Sequence, residues 1–399
     1  MIYLFHEYLN IFQYVSFRAA GAAITALLIS FLLGPKIIRT LQNHHIGETI
    51  RKNGPTTHYL KEGTPTMGGI IMLLSIILPS ILWAKLNEQI ITIVIATLFM
   101  GMIGFLDDYL KIVKKISKGL IARYKLIAQI IVGIFIAYMV LYHIDKPIIF
   151  EDSKKLSNEQ IELIDKGEKT KQYFEQEEKS KTSISIPFMA SNTSDKIING
   201  FLELPKWLYI ILIILVITAT SNAINLTDGL DGLAAGLTAI SVTALGVIAY
   251  ASGRLDFSDY LNILYIRGSD ELLIFSFATV GACLGFLWYN SNPAMIFMGD
   301  TGSLALGTAL GSLAILLRKE ILLIIIGGVF VIESLSVIIQ VLYFKYTKRK
   351  YGKGKKMFLM APIHHHFEQK GLPESRIVVR FWIIGILLAL FSLSTFKLQ

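Results

Sequence analysis

The chain has 399 residues, 53% hydrophobic and 17% charged, with a formal net charge of +9 at pH 7 and a mean hydropathy of +0.58. That balance lies outside the soluble range and describes an all-α polytopic membrane protein. The single cysteine, Cys283, excludes a disulfide framework or a thiolate metal site, and no base-reading or groove-fitting module accompanies the positive charge, which sets nucleic acid aside.

Taken in order, ten apolar runs are long enough to cross the hydrocarbon core of a bilayer. They fall near residues 18–38, 67–86, 90–107, 121–143, 205–225, 231–251, 271–289, 302–318, 321–345 and 377–395. The first begins at Arg18 and has no small-residue cleavage site after it, so it is expected to remain as a helix rather than a removed leader. Loops 36–66, 107–125 and 345–380 together hold 21 Lys/Arg, whereas the short loops on the other side hold five: Lys85, Arg254, Arg267, Arg318 and Lys319. Positive residues mark the cytoplasmic face, so both termini are expected to be periplasmic.

The whole chain, 1–399, reads as one integral-membrane domain without internal repeat, which weighs against a transporter built from duplicated halves. One segment departs from the pattern. Residues 145–204, between the fourth and fifth spans, are polar and mixed in charge, and are expected to form a small periplasmic insertion. Within it, "KPIIF" and "SISIPF" are expected to pair as a short hairpin around a helical or disordered middle.

Span parity places the remaining polar clusters on the cytoplasmic face. "KEGTPTMGG" (61–69) enters the second span, and "DDYLK" (107–111) ends the third with Asp107 and Asp108 beside Lys111. "NAINLTDGLDGL" (222–233) joins the fifth span to the sixth and places Asn222, Asn225, Asp228 and Asp231 at three-residue spacing. Steps of three drift by roughly 60° each on a straight helix, so a break is expected within the series, with Thr227 or Asp228 capping the sixth helix. "NSNPAMIFMGDTGS" (290–303) and "PIHHHFE" (362–368) complete the set. Loops converging on one face suggest one site assembled from distant sequence. Carboxylates near hydrocarbon are costly and mark function by default.

Several helices start at these motifs, and helix N-termini suit phosphate. Carboxylates beside phosphate call for an intervening cation, and Asp and Asn oxygens without thiols favour a hard ion such as Mg²⁺. The bland alternatives are a solvated turn for Asp107–Asp108 and a helix cap for Asp300. His364, His365 and His366 splay by about 100° each on a helix and cannot all bind one ion, so phosphate contact by one or two is expected instead of a zinc site. The run "KYTKRKYGKGKK" reads as an anchor on anionic membrane lipid.

"KEGTPTMGG", "FLDDYLK", "NAINLTDGLDGL", "FLWYNSNPAMIFMGDTGSL" and "PIHHHFE", in this order over nearly the whole chain, resemble the bacterial phospho-N-acetylmuramoyl-pentapeptide transferases. The resemblance implies a ten-helix inner-membrane enzyme, usually a homodimer, that uses Mg²⁺. Its activity would be transfer of phospho-MurNAc-pentapeptide from UDP-MurNAc-pentapeptide to undecaprenyl phosphate, giving UMP and lipid I for peptidoglycan. By matching position it implies Asp300 as the Mg²⁺ ligand and Asp107, with Asp108 beside it, as the base for the lipid phosphate. Asn222, Asp228, Asp231 and His364 would line the cleft; Lys61, Thr66 and Lys125 would contribute to nucleotide and phosphate binding, and Asn290 belongs to the Asp300 motif. The insertion is longer than the hairpin associated with the family. Direct attack by the lipid phosphate is the favoured reaction course, with a phosphoryl-aspartate intermediate as the other. A related transferase using UDP-GlcNAc and an ion-coupled transporter are the competing readings.

Overall fold

In a computed structural model, residues 9–43, 63–114, 116, 119–150, 176–187, 197–198, 201–261 and 263–395 are described. Every apolar run forms helix, since a helix satisfies its own backbone polar groups where no water can. In chain order these are α1 Val15–Asn43, α2 Gly69–Trp83, α3 Glu88–Ile112, α4 Ala122–Tyr138, α5 Lys206–Thr227, α6 Leu233–Ser252, the short α7 Leu255–Leu261, and α8 Glu271–Asn290. They continue with α9 Gly299–Leu316, α10 Leu322–Ile326, α11 Gly328–Tyr351, the short α12 Ile363–Gln369 and α13 Glu374–Ser394. Among the described residues eight are long and apolar enough to cross a membrane, α4 together with the helical turn Met139–His143 that continues it. Of the other two expected spans, α2 has fifteen residues and α9 has eighteen with a polar first turn. The ninth run is not one helix: it divides at Gly327 into α10 and α11.

The buried axis of the bundle is α9, where every residue from Thr301 to Leu316 is inside. Its inward faces are largely Gly, Ala, Ser and Thr, which let neighbouring backbones approach without a hydrophobic driving force; α3, α5 and α2 pack around it. A second layer joins α1 to α8 and α8 to α6, with α13 on α6 and α11 on α5.

Chain direction fixes the two ends of this bundle. The start of α1, the start of α8 and the end of α13 lie at one end; the ends of α3 and α5 and the starts of α4 and α9 lie at the other. At the first end the buried Arg18 forms a two-pronged ion pair with Glu271, 2.7 and 2.6 Å, and also donates to Trp83 O at 3.1 Å. The Lys85 amide donates to the same carboxylate at 2.8 Å, so α1, α2 and α8 are locked together there. A second buried charge group at this end joins Tyr209 to Glu320 at 3.0 Å, with Arg318 donating to the same phenol oxygen.

The inserted segment differs from its expected pairing. β1 Ile148–Phe150 pairs antiparallel with β2 Gln176–Glu178, while β3 Ser183–Ser185 pairs with β5 Phe201–Glu203, which also takes β4 Ile197–Ile198. "KPIIF" and "SISIPF" therefore belong to different sheets. β1 is also bridged to Tyr265, and Ser185 accepts from Lys319 Nζ at 3.2 Å, which seats both sheets on the helix ends.

Candidate active site

The last turn of α3 points Asp107, Asp108 and Lys111 at the first turn of α9. Lys111 follows Asp107 by four residues, one helical turn, and the two form an ion pair. Lys125, in the first turn of α4, reaches the same place: its Nζ lies 2.9 Å from Asp107 and also pairs with Asp300, as Lys111 does at 3.2 Å. Two ammonium groups thus bridge two carboxylates from α3 and α9. The Leu120 amide donates to Asp107 Oδ1 at 2.6 Å.

Asp108 has a different task. Its carboxylate accepts from the backbone amides of Asp300 at 3.1 Å and Thr301 at 2.9 Å, and from Thr301 Oγ1 at 2.6 Å. It thereby caps α9 from a separate helix, satisfying first-turn N–H groups and complementing the helix dipole. Gly299 makes the approach possible: its φ is +72°, and a Cβ there would sit 2.6 Å from Asp108 Oδ2 and 3.1 Å from Thr66 Oγ1. The last distance places the buried Thr66 beside the cluster. Asp300 itself is not a cap; its Oδ1 accepts from Asn225 Nδ2 at 2.8 Å, and Asn225 also donates to Ser303 at 2.8 Å.

One oxygen from each of Asp107, Asp108 and Asp300 lies within 4.8 Å of the others. The donor set is all carboxylate, which fits a hard cation better than a soft one. The acidic excess, three carboxylates against two lysines, leaves a net charge that a cation would balance.

The break expected in the 222–233 series occurs: α5 ends at Thr227 and α6 starts at Leu233. The expected cap does not. Asp228 is the C-cap of α5, Thr227 Oγ1 donates back to Ala223 O at 2.8 Å, and α6 starts from Gly232 at φ +80°. The turn thus starts α6 from its own glycine, without a side-chain cap. Asp231 instead accepts at 3.1 Å from Asn292 Nδ2 and from the Ala294 amide, while its own amide donates to Glu374 at 2.6 Å. Asn290 ties the same turn to the loop before α9, accepting from Gly232 N at 3.0 Å and donating to Ile296 O at 2.9 Å.

The histidines do splay. His364 is fully buried, with Nδ1 3.0 Å from Glu333 of α11, and its Nε2 faces Gly229. A Cβ on Gly229 would lie 2.4 Å from that nitrogen and 3.3 Å from His365 Nε2, so glycine is required for this approach. His365 stacks edge-on with His364 at 4.2 Å and pairs with Glu368 at 3.1 Å. His366 turns away, accepting from the Leu359 amide at 3.1 Å, and burial followed by nearby Lys370 holds its imidazole below the usual range.

The structure therefore brings Asp107, Asp108, Lys111, Lys125, Asn225 and Asp300 into direct contact, with Thr66 alongside. It sets His364 and His365 against the 228–231 turn. Asn222 bonds Gln129 at 3.1 Å and Thr218 O at 2.8 Å, one turn back along α5 from Asn225. Lys61 lies outside the described residues. Reading the sequence missed Glu333, although a lone acid inside "GVFVIESLSVIIQ" is costly in a span and was a usable signal.

A carboxylate and lysine cluster at one end of a helical membrane bundle is accompanied by a match, over residues 90–318, to the family described as Glycosyl transferase family 4. Within that class the relatives are specific. The chain is 45% identical, over 100% of both sequences, to a phospho-N-acetylmuramoyl-pentapeptide-transferase of Flavobacterium psychrophilum. It is 43% identical, again over 100% of both, to the protein of that name from Parabacteroides distasonis. It is also 47% identical to that of Chloroherpeton thalassium over 98% of this chain and 95% of the relative. The chain belongs to the phospho-N-acetylmuramoyl-pentapeptide transferase family.

Proposed function

We propose that this chain transfers phospho-MurNAc-pentapeptide from UDP-MurNAc-pentapeptide to undecaprenyl phosphate, forming lipid I and UMP for peptidoglycan synthesis. The observation that carries the reading is the bridging of Asp107 and Asp300 by Lys111 and Lys125 at one end of spanning helices. One substrate is water-soluble and the other is tethered by a long lipid tail, so their phosphates can meet only at such a boundary.

Asp300 is the residue we assign to Mg²⁺, with Asp107 adjacent; when bound, the ion supplies charge neutralisation of the diphosphate and of departing UMP. Lys111 and Lys125 draw in the two phosphorylated substrates. Asp107 accepts the proton of the lipid phosphate. A phosphate oxygen then attacks the sugar-linked phosphorus, that phosphorus forms its bond to the lipid, and its bond to UMP breaks. Direct attack by the lipid phosphate is the course we prefer, and a phosphoryl-aspartate intermediate is the other; a phosphorylated enzyme formed with UDP-MurNAc-pentapeptide alone and lost in Asp107→Ala would overturn that preference. Asp228, Asp231, His364 and His365 line the approach to this centre, and Thr66 joins the phosphate contacts.

The Lys/Arg-rich loops support placing this end on the cytoplasmic side of the bacterial inner membrane, with both termini periplasmic. Exposed apolar side chains along α11, such as Ile332, Leu335, Ile338 and Leu342, suit lipid contact, and the family resemblance adds a homodimer. The decisive assay is UMP release from UDP-MurNAc-pentapeptide and undecaprenyl phosphate with and without Mg²⁺. Release should need all three components and should fail with UDP-GlcNAc; equal turnover of both sugar nucleotides would point to the broader transferase instead.

A further inference from the structure

After α11 the chain turns back on itself. Gly352, at φ +74°, ends the helix in the left-handed conformation that suits glycine, and the segment that follows returns alongside α11. Three side chains of that helix hold the returning segment: Thr347, Gln340 and Glu333, spaced seven residues apart. Seven residues make two turns less about 20°, so all three share one face. Each contact lies closer to the start of α11 than the one before. Thr347 Oγ1 accepts from the Lys355 amide at 2.8 Å. Gln340 accepts from the amides of Met357 and Phe358 at 3.0 and 2.9 Å and donates to Phe358 O at 3.1 Å, which uses both ends of its side-chain amide. Glu333 then meets His364 Nδ1 at 3.0 Å, from 31 residues away in the sequence, with both side chains fully enclosed.

An acid enclosed within a span needs a partner, and an ionised carboxylate can only accept. The bond to His364 therefore fixes an imidazole proton at Nδ1. What remains is Nε2, which has no hydrogen-bond partner among the described residues and lies against Gly229. An unmet buried nitrogen is costly. The turn it faces is only half-buried at Asp228 and Gly229, so a ligand oxygen arriving there can pair with it. His365 makes a similar bond to Glu368 at 3.1 Å, but within α12, so that bond ties no second helix to the site.

From this geometry we infer that Glu333 is a positioning residue for the transfer proposed above, on which the inference rests: it keeps a proton on His364 Nδ1 and turns Nε2 toward the 228–231 turn to meet a phosphate oxygen of the substrate. With Nδ1 committed to the carboxylate, Nε2 is the ring nitrogen that takes up a second proton, and the imidazolium so formed donates from that edge.

The test combines a mutant cycle with a spectrum of the wild type, both on the full chain in bilayers. Glu333→Leu, which fills the space without offering an acceptor, should lower kcat for UMP release by about 10²-fold, as His364→Ala does. Glu333→Gln, whose side-chain carbonyl still accepts, should recover most of that loss. In the His364→Ala background Glu333→Leu should lower kcat no further, because residues that act as one unit are not additive. Losses that multiply would overturn the assignment, as would an unchanged kcat in Glu333→Leu. In wild type labelled with ¹⁵N-histidine, solid-state NMR should show the His364 signal, the one absent from His364→Ala, with Nδ1 protonated. A bare Nδ1 would overturn the inference even where the Glu333 variants fail to fold. A wild type that releases no UMP from UDP-MurNAc-pentapeptide would instead count against the transfer reaction, with the nitrogen spectrum still reporting the bond to Glu333.

Discussion

Two groups of buried charge sit at opposite ends of the helical bundle, on different helices, and obey opposite rules. Arg18 and Glu271 are matched one to one, meet through two short hydrogen bonds, and are closed off from solvent. Asp107, Asp108 and Asp300 are three like charges within 4.8 Å, restrained by two lysines, one of which, Lys111, is 38% exposed at its side chain. A neutral, closed pair holds α1 to α8 and has nothing left to offer a ligand. An acidic excess with cations beside it and an opening to water retains attraction for both a metal ion and a phosphate. Burial alone therefore does not identify a working charge; an imbalance that the protein leaves unfinished does.

Substitutions at the two ends should separate these rules. Asp300→Ala is expected to reduce turnover by about 10³-fold or more, the scale for losing a group that stabilises developing charge, and to remove the response to added Mg²⁺. Its thermal unfolding should stay close to wild type; a large loss of Tm would mean that the cluster is structural like the other end. Arg18→Ala leaves Glu271 buried without its guanidinium and should cost about 3–5 kcal/mol of stability, read in a denaturant titration. The fraction that remains folded should turn over normally, so a reduced kcat per folded molecule would break the distinction.

Smaller effects are expected within the site itself. His364→Ala should slow transfer by about 10²-fold, whereas His366→Ala, whose ring faces Leu359, should change it little; equal losses in steady-state assays would contradict the splayed arrangement. The smallest effect belongs to the insertion. Phe150 and Gln176 are register partners, so a short Gly-Asn type turn can replace residues 151–175, and transfer in detergent should be unchanged. Complete loss in a folded protein would connect the insertion to the chemistry across the membrane.

Much of this organisation was legible in the sequence because the bilayer imposes a length on apolar runs. All ten runs form helix, and the clusters at 107, 225, 300 and 364 do gather at one end. What was hidden depends on contacts between distant positions. The separation of α10 from α11 at Gly327 interrupts a uniformly apolar stretch, which carries no periodic signal of a break. Asp108 caps a helix that starts 191 residues later, a role no local pattern can reveal. Thr227 failed as a cap because a left-handed Gly232 already begins α6. The strand partners were misassigned because short runs of three residues fit several registers equally well.

The length of α11 has a mechanical consequence. Its 24 residues extend about 36 Å, more than the hydrocarbon thickness, so it must tilt or protrude, and its basic last turn favours protrusion into water. His364 hangs from this helix through Glu333, while Asp300 rides on the enclosed α9. A thinner or thicker bilayer that changes the lean of the outer helix will shift the imidazole against the aspartate, so catalytic rate should respond to acyl-chain length even with every side chain in place.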